Sequence, residues 1–213
     1  GRGPLGVLGH GSEDDEPKER LVEALDGQGI RDIAAGPYHS AALTPDGRLF
    51  TWGWMPFGIS AQGKMEETFS HVPRPVKLSA AITVRGLACG CFATACWDDH
   101  AQLYTWGRGE SGQLGHGNTA SVAAPKAVEA LMGVRVGEVA FGGVQTAAGS
   151  TGFMLVRSES GLVFSCGSPA RGRLGRRHCL YEEDDDNAGG GRRGRRGGAD
   201  APRGAGGGAA GGQ

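Results

Sequence analysis

No apolar run in the 213-residue sequence approaches the roughly 18–20 residues that span a bilayer, which excludes a helical membrane protein. Neither sign of charge is in surplus. There are 22 Lys+Arg against 23 Asp+Glu, a net charge of −1. That balance excludes a chain-wide attraction to nucleic acid or anionic lipid, while leaving room for a local basic patch. The five cysteines, Cys89, Cys91, Cys96, Cys166 and Cys179, are odd in number and unevenly clustered. They make a poor disulfide framework, so a reducing intracellular location, cytoplasmic or nuclear, is expected. A zinc site at Cys89, Cys91, Cys96 and His100 lacks the usual paired half-sites. Cys96 also falls in a strand-like run where a small buried thiol is common, so neither metal nor cofactor is expected. Enzyme signatures are missing as well: Gly-x-Ser-x-Gly, Gly-x-x-x-x-Gly-Lys-Ser/Thr and His-Glu-x-x-His do not occur. Gly107, Gly109 and Gly112 imitate a dinucleotide loop but lack the βαβ pattern around it. A non-enzyme is therefore expected. The first residue is Gly1 and no secretory leader pattern is visible, so a fragment, or a chain that has lost its start, is expected.

What the chain does have is glycine, 41 residues of it, against an average near 7%. Its spacing is not the every-third pattern of collagen, and proline numbers only 10. Twelve glycines lie in residues 176–213 beside an acidic block, Glu182 to Asp186, and the Arg192–Arg193 and Arg195–Arg196 pairs. Such a segment buries too little apolar surface to fold and reads as a disordered tail. Two roles stay open for it: an Arg/Gly arm that binds RNA or acidic partners by charge, or a solvated linker. The other 29 glycines are mixed with Val, Leu, Ile, Phe and Trp in residues 1–175 and need a structural cause.

An internal repeat supplies it. Ile30 to Gly36, Val84 to Gly90 and Val136 to Gly142 share the pattern aliphatic, two variable residues, aliphatic, Ala, variable, Gly. Their final glycines are 54 and 52 residues apart, and Val22, Val76 and Val128 recur at the same spacings. Four residues after each glycine comes a hydroxyl: Ser40, Thr94, Thr146. Leu49-Phe-Thr-Trp-Gly53 matches Leu103-Tyr-Thr-Trp-Gly107, with Val163-Phe-Ser-Cys-Gly167 a weaker copy. Gly6-Val-Leu-Gly-His-Gly11 returns as Gly112-Gln-Leu-Gly-His-Gly117 and begins again at Gly172, while the copy around Ser60 to Gly63 is largely lost. Three motifs kept in phase mark a repeat architecture.

Each unit reads as short strands around turn residues. Ser40–Thr44 and Arg48–Trp52 flank Pro45-Asp46-Gly47, a hairpin signal. Ala93–Trp97 pairs with Gln102–Trp106, and Phe153–Arg157 with Leu162–Cys166. With a strand ending at Gly36, Gly90 or Gly142 and a fourth near Val22, Val76 or Val128, each unit has the arithmetic of a propeller blade. The third unit carries eight extra residues. They form an insertion near Ala148 to Gly152 or a bulged hairpin, or fall upstream if Ala147-Ala148-Gly149 sets the register.

These landmarks resemble the regulator of chromosome condensation repeat family, whose fold is a seven-bladed β-propeller. The resemblance covers residues 5–175 and implies an all-β, partial propeller of about three four-stranded blades. The expected domain is 1–175, with units 5–53, 54–107 and 108–167 and the start of a fourth at 168–175, followed by the 176–213 tail. Members of the family serve as exchange factors for the small GTPase Ran, accompany ubiquitin-ligase domains, or sense ultraviolet light in plants. The resemblance thus implies a non-catalytic protein–protein interaction module. A Ran-like GTPase exchange factor and the repeat region of a larger ligase are the alternatives. In the family, the turns after the strand-end glycines face the partner. Here these read Gly36-Pro-Tyr-His, Gly90-Cys-Phe-Ala and Gly142-Gly-Val-Gln. Tyr38, His39, Phe92 and Gln145 are the candidate partner-binding residues, and His39 is alternatively a framework residue bonded to a neighbouring blade. No Trp or Arg occupies these turns, which sets the chain furthest from the photoreceptor branch.

Overall fold

A computed structural model describes residues 1–59, 65–80, 82–146 and 149–175; the side chains of 56–59, 65–68, 145–146 and 149–150 are outside the description, as is the 176–213 tail. Thirteen strands run through these residues. The first sheet is β1 (Asp32–Ala35), β2 (His39–Leu43), β3 (Leu49–Ile59) and β4 (Met65–Pro75), antiparallel in that order. The second is β5 (Val84–Cys89), β6 (Ala93–Asp98), β7 (Leu103–Gly107) and β8 (Val122–Ala127). The third is built from β9 (Val136–Gly142), β12 (Phe153–Ser158) and β13 (Val163–Gly167), in the order β13-β12-β9. A small hairpin, β10 (Gln145–Thr146) with β11 (Gly149–Ser150), lies between β9 and β12 in sequence. Two four-stranded blades and a third of three described strands confirm the all-β propeller-type architecture.

The hairpins of the second and third strands form as the turn residues dictate, and each is closed by a buried polar side chain. Thr44 Oγ1 accepts from the Arg48 amide at 3.0 Å. Asp98 Oδ1 accepts from the His100 and Gln102 amides at 3.0 and 2.9 Å. Ser158 Oγ accepts from the Leu162 amide at 3.0 Å. One residue of each turn is left-handed: Gly47 (φ 86°), Gly161 (φ 85°) and, in the second blade, Ala101 (φ 60°), which bears a side chain where glycine is favoured.

The expected fourth strands near Val22, Val76 and Val128 are shifted. The outer strands β4 and β8 stop at Pro75 and Ala127, just short of Val76 and Val128. Val22 and Val128 instead precede one-turn 3₁₀ helices, Glu23–Leu25 and Glu129–Leu131. The first blade also departs from the second in length. β3 and β4 are 11-residue strands that stay paired out to Ile59↔Met65, where the second blade has the Gly112–Gly117 loop.

The second blade is buried on both faces between its neighbours, so its middle strand β6 reads as a run of small and apolar residues rather than alternating. One core joins Ala41, Leu43 and Leu49 of the first blade to Val84, Leu87, Cys96 and Trp106 of the second. Another joins Ala88, Ala95 and Leu103 of the second to Val136, Val139, Met154 and Val156 of the third. Equivalent positions report where a neighbour is present: Leu87 and Val139 are 7% exposed, while Ile33, in the same place on β1, is 73% exposed. The blades approach too closely for a side chain at the strand-end glycine, since a Cβ on Gly36 would lie 2.2 Å from the Gly90 carbonyl oxygen.

The third blade settles its register. Gly142 pairs with Phe153, as Gly36 and Gly90 bond His39 and Ala93. The extra residues are therefore an excursion between 143 and 152 that includes the β10–β11 hairpin. Phe153, not Gln145, is the counterpart of His39. Met154, not Thr146, follows it as the counterpart of Ser40 and Thr94. Spacing from the glycine misleads here because the insertion intervenes before the second strand.

Candidate functional site

One edge of the sheets gathers two chain crossings from every blade. The first is the link between first and second strands, only Gly36-Pro37-Tyr38 in the first blade and Gly90-Cys91-Phe92 in the second. The second is the chain just past Gly53, Gly107 and Gly167, where the third strand ends in the second and third blades and continues along β3 in the first. These crossings are tied by equivalent backbone bonds: Trp54 N–H to the Tyr38 carbonyl (2.8 Å), Arg108 N–H to Phe92 (2.9 Å), Ser168 N–H to Gly152 (2.9 Å). The glycine just before each bond makes the approach feasible. At Gly53 (φ 97°) a Cβ would fall 2.6 Å from the Tyr38 carbonyl oxygen, and at Gly107 (φ 109°) 2.2 Å from that of Phe92. Each blade thereby offers one residue pair at this edge: Tyr38 with Trp54, Phe92 with Arg108, and Gly152 with Ser168.

The first two pairs merge into one aromatic cluster across the seam between blades. Tyr38 stacks on Phe92, with ring centroids 4.5 Å apart and planes within 3°. Trp54 meets both edge-on, at 5.5 and 5.4 Å. Phe69, its register partner on β4, lies parallel to Trp54 at 6.0 Å. The Arg108 guanidinium sits 5.4 Å from the Phe92 centroid and pairs with Glu110 at 2.6 Å. Phe92 is buried beneath its neighbours, Tyr38 and Trp54 are half-buried, and Phe69 is 48% exposed.

His39 lies behind this layer with 1% exposure. Its Nε2 is 2.9 Å from Thr94 Oγ1 of the second blade. Burial pushes its pKa down to about 4, so the ring is neutral at physiological pH. Gln145 lies in β10, inside the excursion, and its side chain is outside the description. Tyr38, Phe92 and His39 are thus brought together at one seam. Trp54, Phe69, Arg108 and Glu110 escape a reading of the strand-end turns. The signal for two of them was available: Trp54 and Arg108 both directly follow the aligned Thr-Trp-Gly motif.

The arrangement can stack, donate hydrogen bonds and present charge. Elsewhere, burial raises the Cys89 and Cys96 thiols to about 12, so both stay protonated and poor as metal ligands or nucleophiles. Among the described residues no cluster of His, Cys, Asp and Glu could hold a metal, and no helix is long and apolar enough to cross a membrane.

Comparison with known proteins agrees with this architecture. Two family models, both described as the regulator of chromosome condensation (RCC1) repeat, match residues 1–43 with 100–148 and residues 30–59, together just over half of the chain. The chain is 34% identical over 179 residues to the ultraviolet-B receptor UVR8 of Arabidopsis thaliana, covering 82% of this chain and 38% of the receptor. To the E3 ubiquitin-protein ligase HERC2 of Homo sapiens it is 36% identical over 177 residues, covering 82% of this chain and 4% of the ligase. The chain therefore spans well under half of the curated relatives it matches. Among solved structures, human WBSCR16 matches with a TM-score of 0.67 at 24% identity, covering 82% of this chain and 44% of that one. Prp20p from Saccharomyces cerevisiae matches at 0.51 and 22%, covering 65% and 33%. These last two likenesses establish the fold.

Receptor and ligase are nearly equal in identity to this chain, so identity does not separate the photoreceptor branch from the others. The turns themselves lack Trp and Arg, yet Trp54 and Arg108 reach the same edge from the neighbouring crossing.

Proposed function

The chain belongs to the regulator of chromosome condensation (RCC1) repeat family, and on that premise we propose that it is a non-catalytic protein-binding module. Its contact surface is the aromatic edge formed by Tyr38, Trp54, Phe69, Phe92 and Arg108. The observation that carries this reading is the cluster itself. Four rings and a guanidinium are assembled across a blade seam, and the outermost ring is half exposed. Aromatic and Arg side chains held rigidly at a surface are the groups that anchor protein interfaces, because they bring large contact area at small entropic cost. Phe92 and His39 support the layer from below, and Gln145 lies on the excursion at the equivalent edge of the third blade.

Photo-cross-linking tests the reading. A benzophenone side chain at position 69 should capture a discrete protein partner from the native environment, and the same group at Met132, exposed away from the cluster, should not. Identical capture from both positions would contradict it.

A small GTPase is one candidate partner class. Prp20p was crystallised with a study of its binding to Gsp1p and histones. Acceleration of nucleotide release from a Ran-like GTPase would place this chain in that class, and a rate equal to the spontaneous one would remove it. Membership of a larger ligase-type protein is the other alternative, supported by 36% and 35% identity to HERC2 and HERC3.

A further inference from the structure

In the first and third blades the third strand carries a side chain set into a slot formed by the chain that precedes the blade. In the first blade the plug is Trp52. Its indole Nε1–H donates to the Val7 carbonyl at 2.8 Å, and its ring packs against Gly9, where a Cβ would lie 2.9 Å from Nε1 and 3.2 Å from Val22 Cγ1. In the third blade the same slot is built from the same parts. Gly115 stands for Gly9, Val128 for Val22 and Gln113 for Val7. The plug, however, is Cys166. Its Sγ reaches toward the Gln113 carbonyl at 3.8 Å, and a Cβ on Gly115 would lie 3.3 Å from Val128 Cγ1 and 3.5 Å from that sulfur.

Replacing an indole by a thiol leaves space. A cavity of about 500 Å³ occupies this place, walled by Val128, Leu131, Met154, Val156, Phe164 and Cys166, with the Gly112–Thr119 loop at its mouth. That volume lies within the range of small-molecule sites, and apolar cavities of this kind take up aromatic ligands. We propose that the slot vacated at Cys166 is a binding site for a small planar aromatic of indole size, held by the apolar walls of the cavity. The template for the ligand is the protein's own Trp52 side chain in the matching slot of the first blade. This site is separate from the aromatic edge and independent of the partner proposed there.

The test titrates indole into the full chain labelled with ¹³C at the methionine methyls. Indole should shift the Met154 methyl by ring current and saturate in the millimolar range or below, while exposed Met132 stays unmoved. Cys166→Trp should abolish the shift and raise Tm by several degrees, because it refills the slot covalently. Absence of a saturable Met154 shift, or unchanged indole binding in Cys166→Trp, would overturn the proposal. The wild-type titration decides the matter alone if Cys166→Trp does not fold.

Discussion

The seam between the first and second blades and the seam between the second and third use the same positions differently. Both are closed by aliphatic residues on the first strand, Leu87 in one and Val139 in the other. The first seam is finished with three-residue links, stacked rings and the His39–Thr94 bond. The second has an excursion in place of the short turn, Phe153 in place of His39, and Cys166 where the other blades have tryptophan. Blade packing therefore comes from a shared framework of glycines and aliphatic residues, and recognition from departures at a few fixed points around it.

Substitutions at matched positions sharpen that contrast. The largest effect is expected at the first-strand aliphatic. Leu87→Asp places an unpaired carboxylate in a blade core and should cost on the order of 4 kcal/mol or more, enough to unfold the chain in a denaturant titration. Ile33→Asp, on the uncovered equivalent, should change stability by less than about 0.5 kcal/mol. Similar losses from both would mean that the free face of the first blade is covered. Next comes the slot. Trp52→Ala should cost about 3–5 kcal/mol, and Cys166→Ala less than about 1 kcal/mol, because the second slot is already empty.

The strongest histidine-linked acid sensitivity should come from the first seam, since Ala93 and Phe153 replace His39 elsewhere and His116, also lowered by burial, is less deeply buried. With its folded pKa near 4 and an ordinary value of 6.5, His39 favours the folded state fully above pH 6.5. That advantage is lost as pH falls toward 4, a change of about 3 kcal/mol by linkage. Thermal unfolding across this window should show the wild type losing stability relative to His39→Gln, and parallel pH profiles would refute the assignment. A small effect of opposite sign is expected at Ala101. Ala101→Gly should stabilise by about 0.5 kcal/mol, because glycine adopts the left-handed turn without strain, as Gly47 and Gly161 do in the other blades.

Much of the framework is legible in the residues. Hairpins around Pro45-Asp46-Gly47 and the strands ending at Gly36 and Gly90 follow from turn chemistry and a repeat held in phase. The third register is not legible, because the excursion between 143 and 152 shifts Gln145 and Thr146 off the positions their spacing suggests. Val22, Val76 and Val128 mark the repeat faithfully yet sit beyond the outer strands, since periodicity gives position and not conformation. The aromatic cluster joins residues from different blades, so no local pattern announces it. The cavity is half legible: Cys166 at a tryptophan position is visible in the repeat, but the space it leaves needs the walls around it.

The most direct measurement is the affinity of the partner captured from position 69, purified and titrated against wild-type chain and against Trp54→Ala. Trp54 touches Tyr38, Phe69 and Phe92 at once, so its truncation should weaken binding at least tenfold while leaving the fold intact by circular dichroism. Equal Kd values for the two proteins would contradict the claim that the aromatic edge is the binding surface.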